Sequence, residues 1–151
     1  MLPTLLGRIQ TRLFATLVIG GLWALLIAPL LPGLPGVSYS DRFKAEYALL
    51  VLLAVLGVGW ELIYHGLMQF RWEKDWPTLF GLLTLLPEGL ALRLFADHAG
   101  LTSWWFYRAN DLPRSTFTVA FVTTWVALWL FFNGPMRIFT VHWRFRGGRL
   151  L

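Results

Sequence analysis

A chain of 151 residues has room for one domain, and 57% of its residues are hydrophobic while only 14% are charged. A soluble globule this small buries too little of its surface to hide so much apolar material, so lipid is the expected solvent. The absence of Cys excludes disulfides, thiolate catalysis and Cys-based zinc or iron–sulfur sites, and the net charge of +5 is spread over the ends of apolar segments, which points to membrane topology and anionic headgroups rather than to nucleic acid.

The first apolar run, Leu13 to Leu31, carries no charge and is long enough to span. A hydrocarbon core of about 30 Å takes about 20 residues at about 1.5 Å each. Arg8 and Arg12 precede it, as they would in a signal peptide. The run exceeds a usual signal core, however, and no Ala-x-Ala site follows, so it is read as a retained helix. Gly20, Ala24 and Ala28 recur every fourth residue and make one smooth stripe where another helix can approach. Pro29, Pro32 and Pro35 end the helix, and Ser40 or Asp41 is expected to cap the next one.

The second span is expected over residues 47–68. Its first half is uncharged, and Glu61 and His65 then interrupt the apolar pattern. In the connection that follows, charges alternate with aromatics. Arg71, Trp72, Lys74 and Trp76 are expected to contact lipid headgroups or a partner there, with rings against acyl chains and charges in water. The third span, residues 78–96, holds Pro87 and Glu88 near its middle and Arg93 five residues beyond Glu88. Pro87 removes a backbone bond and Gly89 loosens the helix, so a kink is expected. Trp104, Trp105, Phe106 and Tyr107 then form a second aromatic belt. The fourth span, residues 115–136, is capped by Ser115, is uncharged, and carries a second small-residue face of Thr116, Ala120 and Thr124. The tail, residues 137–151, places Trp143, Arg144, Arg146 and Arg149 beside the membrane, where each basic residue near anionic lipid is worth about 1 kcal/mol.

The expected fold is therefore a single all-α transmembrane domain, a bundle of four helices with short interfacial connections. Both termini then lie on one side. Eight Lys and Arg fall on that side and five on the other, which places the termini in the cytoplasm of a cell membrane.

Charged groups at membrane depth cost roughly 2.5–3.5 kcal/mol each on insertion scales, so they turn inward and find partners. Glu61 and His65, four apart, share a helix face, and Glu88 lies at a similar depth on the antiparallel third helix. Glu61, His65, Glu88 and Arg93 thus form the expected intramembrane polar cluster, in which Glu88 meets His65, Glu61 or a carbonyl released by the kink. No metal is expected, because Glu-x-x-x-His is not the Glu-x-x-His spacing of di-iron bundles. His98 and His142 fall outside the spans, which leaves no pair for a haem, and no cofactor is expected.

Two function classes compete. The favoured one is a membrane protein that works by helix association, as a subunit, scaffold or assembly factor of a larger complex or as a homo-oligomer. The alternative is a small oligomeric channel or proton-coupled transporter using Glu88, Glu61 and His65. A pore requires a water-accessible Glu88, whereas a scaffold requires a dry, paired one. An enzyme is the third reading, since no nucleophile–base order or glycine-rich phosphate loop occurs, and Asp97, His98 and Asp111 alone are a weak signal.

Overall fold

A computed structural model describes residues 4–32, 37–70, 78–98 and 113–139. Four helices among them are long and apolar enough to cross a membrane: Leu5–Leu30, Tyr39–Gln69, Leu79–Asp97 and Arg114–Ile138. No strand occurs among the described residues. The all-helical architecture agrees with the expectation from composition, while the helix boundaries differ in instructive ways.

The first helix begins eight residues before the expected Leu13. The Thr4 hydroxyl accepts a hydrogen bond from the Gly7 amide at 3.2 Å and so caps it at Leu5. Arg8 and Arg12, expected to flank the membrane, lie inside this helix because acids from two other helices neutralise them. The helix is also irregular. Ala15–Ile19 is a π-turn in which the Gly20 amide donates to the Ala15 carbonyl, five residues back. A 3-10 turn, Ala28–Leu30, closes it. Arg42 of the second helix then donates to the carbonyls of Pro29, Leu31 and Val37 at 3.3, 3.4 and 3.1 Å. A cation placed on these carbonyls satisfies acceptors that a helix end leaves without partners.

The second helix, Tyr39–Gln69, is capped by Ser38, whose hydroxyl accepts from the Asp41 amide at 3.2 Å, and not by Ser40 or Asp41. It starts well before the expected Tyr47 and carries Glu46 into the bundle. The third helix runs as Thr78–Leu83 and Leu85–His98, with its break at Thr84 rather than at Pro87. Proline disturbs the turn before it, because its ring meets the carbonyl four residues back and it has no amide to offer. The fourth helix, Arg114–Asn133, begins after Pro113 without any side-chain cap, so the expected role of Ser115 is not found. Gly134 ends it, and a short helix, Pro135–Phe139, follows.

Each helix packs on its chain neighbours, and the fourth closes back on the first. The core between them is formed by Leu31, Leu49, Leu53, Leu92, Phe117, Ala120, Phe121 and Trp125. The outer faces carry exposed Leu22, Leu26, Val55, Leu62, Leu86 and Leu90, an arrangement suited to acyl chains. Ala24 and Ala28 are 0% exposed and Gly20 is buried, where a Cβ would come within 3.0 Å of Leu50 Cδ2. Thr116, Ala120 and Thr124 are also buried, and the Thr116 hydroxyl donates to the Pro32 carbonyl at 2.5 Å. At Gly89 a Cβ would lie 2.5 Å from Phe121 Cε1, so this glycine admits the fourth helix and is not there only to loosen the third.

Candidate functional site

Four charged side chains from three helices converge near the end of the bundle where the chain begins. Arg8 and Arg12 are four residues apart on the first helix and therefore project from one face. Arg8 Nε donates to Glu61 Oε2 at 2.7 Å, and Arg12 Nη1 lies 3.3 Å from Glu61 Oε1. Arg12 Nη1 also reaches Glu88 Oε1 at 3.2 Å while its Nη2 donates to Glu88 Oε2, so that carboxylate is held by two parallel bonds. Such forked pairing is the strong geometry for a guanidinium.

The fourth helix completes the enclosure. The Trp125 ring lies under the Arg12 guanidinium, 5.3 Å from centroid to Cζ, within cation–π range. Met68 Sδ accepts from Arg8 Nη1, and the buried Tyr64 stands beside Glu88. Arg12 reaches its partners by crossing the second helix at Gly57, where a Cβ would sit 2.4 Å from Arg12 Nε. Two guanidinium cations and two carboxylates leave the group without net charge. Glu88 is 1% exposed, and both of its carboxylate oxygens are taken by Arg12.

A second polar station lies toward the other end. Glu46 is 2% exposed, and its Oε1 accepts from Thr124 Oγ1 at 3.3 Å. Glu46 and Glu61 are fifteen residues apart on one helix, about 22 Å along its axis at 1.5 Å per residue. Between them the inward face of the second helix is Leu49, Leu50, Leu53, Ala54 and Gly57.

No family model, curated protein or solved structure matches this chain. Its site must be read from its own geometry.

The residues expected to cluster divide accordingly. Glu61 and Glu88 are brought together, but through Arg12, and not by direct contact or by His65. His65 lies one turn beyond Glu61, half-buried, with its Nδ1 enclosed and without a hydrogen-bond partner among the described residues. Arg93 does not meet Glu88. It pairs with Asp97 at 3.0 Å and lies over the Phe117 ring at 5.4 Å, because four residues of separation align a helical pair and five do not. Gly20, Ala24, Ala28, Thr116, Ala120 and Thr124 all lie in helix contacts. Arg71, Trp72, Lys74, Trp76, Trp143, Arg144, Arg146 and Arg149 lie outside the described residues.

Arg8, Arg12, Glu46, Tyr64 and Trp125 are functional candidates that sequence reasoning missed. The i, i+4 spacing of Arg8 and Arg12 was visible and is the same signal that singled out Glu61 and His65. Among the described residues no group of three or more His, Asp or Glu is placed to hold a metal. Both acids of the network already face guanidinium groups, so the arrangement is suited to fastening helices and not to coordinating a cation.

Proposed function

We propose that this is a multi-pass protein of the cell membrane that works by helix association, as a subunit, scaffold or assembly factor of a larger complex, homo-oligomers included. The observation that carries this reading is Glu88, which is buried and doubly bonded to Arg12. A carboxylate on an ion path has to exchange partners, and both oxygens of this one are already taken by Arg12. The apolar layer of Leu49, Leu50 and Leu53 between the two polar stations also argues against a continuous route through the monomer.

The third helix is the natural face for association. Only 17% of its most apolar stretch is buried in the bundle, against 28–39% for the other three, and Leu86, Leu90 and Leu94 point outward. The native chain has no Cys, so single cysteines at these positions report without background. Leu90→Cys is expected to give cross-linked species heavier than the 17.3 kDa chain in native membranes, while Leu22→Cys on the first helix does not. Uniformly monomeric Leu90→Cys, together with ion flux in liposomes that Glu88→Gln abolishes, would establish the transporter instead.

The orientation is part of the same proposal. With Arg8 and Arg12 neutralised inside the bundle, six basic residues remain on the terminal side against five opposite, and the tail supplies four of the six. That bias, with anionic cytoplasmic headgroups as the tail's partner, puts both termini inside. A reporter fused after Leu151 is expected to be active only as a cytoplasmic enzyme. Activity of an exported reporter there would invert the topology.

A further inference from the structure

The Glu46 station contains an oxygen that the network near the other end does not explain. One carboxylate oxygen, Oε1, accepts from Thr124, whereas Oε2 is buried and has no hydrogen-bond partner among the described residues. Beside it lies a half-open cavity with about 10 Å³ of room for a water-sized body, bounded by Glu46, Thr124, Leu50, Leu53, Leu92 and Phe121, among others. All of these side chains are buried. We propose that Glu46, Thr124 and this cavity form a binding site for a single water molecule within the membrane-embedded bundle.

Three considerations select water. The room is about that of one probe sphere, roughly 10–15 Å³, which is the minimum for a single water. Purely apolar cavities of this kind stay dry, but a buried carboxyl oxygen without a partner carries an uncompensated desolvation cost that one donor relieves. The water donates to Glu46 Oε2, and Thr124 Oγ1, whose proton is directed at Oε1, retains lone pairs to accept the second hydrogen. A divalent cation is a poor occupant, since it seeks about six or more oxygens and the lining offers two oxygen-bearing side chains. The water would tie the second helix to the fourth where the lining is otherwise leucine, alanine and phenylalanine, and it is independent of the association reading above.

Radiolytic footprinting of the full chain in lipid nanodiscs in ¹⁸O-labelled water tests the site, because radicals formed from a bound water oxidise the side chains around it. Phe121 is expected to take up ¹⁸O despite being buried. Glu46→Gln, which keeps a carbonyl acceptor, leaves that labelling unchanged. Glu46→Leu removes the acceptor and lowers it about tenfold, in line with the loss of a hydrogen-bonding partner. Thr124→Val, which conserves volume, lowers it in the same direction and serves where Glu46→Leu does not fold. An unlabelled Phe121 in the native chain, or labelling that neither Glu46→Leu nor Thr124→Val reduces, overturns the proposal.

Discussion

Arg12→Leu is expected to destabilise the bundle by about 3–5 kcal/mol, the range for removing one partner of a buried ion pair and stranding the other. Glu88 would lose both of its parallel bonds, and Glu61 would keep only Arg8. The cost lies in the abandoned carboxylate more than in the lost attraction. The double variant Arg12→Leu with Glu88→Leu is therefore expected to recover most of the loss, because apolar replacement of a whole buried pair is often neutral or better. The pair Arg8–Glu61 stays intact in it and still balances charge. Denaturant-titrated unfolding in mixed micelles measures all three chains. If the single variant loses under about 1 kcal/mol, as an exposed pair would, the network is not holding the helices.

The second large effect is expected at a residue with no side chain. Gly57→Ala is predicted to cost about 1–3 kcal/mol, the usual range for overpacking a filled site. A methyl group there would stand 2.4 Å from Arg12 Nε and 3.1 Å from its Cζ. A surface arginine would swing aside. Arg12 is fixed at its far end by Glu61 and Glu88 and covered by Trp125, so it moves only by giving up those bonds. Gly59, two residues on, has open space around it, and Gly59→Ala is expected to be neutral or slightly stabilising through helix propensity. In an Arg12→Leu background the Gly57→Ala cost should change sharply, since the two residues are in contact and their effects are coupled. A double-mutant cycle with the same unfolding measurement reads that coupling; additive effects would mean that Gly57 is not the crossing point.

The fold was legible in the sequence because its cause is collective. Long uncharged runs at Ala48–Trp60 and Ser115–Met136 have one physical solution in lipid, and no single residue alters it. The site was legible only in part, because a charge has two readings that composition does not separate. Arg8 and Arg12 stand at the edge of an apolar run, where a basic residue ordinarily marks the membrane surface. What places them inside is the presence of Glu61 and Glu88 at matching depth on other helices, a pairing across 49 and 76 residues that no local pattern encodes. Glu46 is hidden in the same way, since it stands just outside the uncharged run that marks the second span, close to Arg42 and Lys44. Its partner Thr124 had been noticed only as a small residue. Conversely, Glu88 was recognised as needing a partner, and the cost of a charge in hydrocarbon sufficed for that much.

The π-turn at Ala15–Ile19 bears on how this chain tolerates changes in length. Buried positions of the first helix fall at Gly7, Thr11, Ala15, Thr16, Gly20, Gly21, Ala24 and Ala28, so the four-residue series Gly7–Thr11–Ala15 and Thr16–Gly20–Ala24–Ala28 are offset from each other by one residue. The offset coincides with the turn that takes up one extra residue, so the arginine half and the small-residue half keep a common inward face. Losing one residue from Ala15–Ile19 would remove that offset and leave both halves aimed as before. Losing one from the regular stretch Gly20–Ile27 would instead swing everything on one side of the gap by about 100°, the rotation of one α-helical residue. A gene encoding this protein thus has one short window in its first helix where a codon is spare, flanked by stretches where none is.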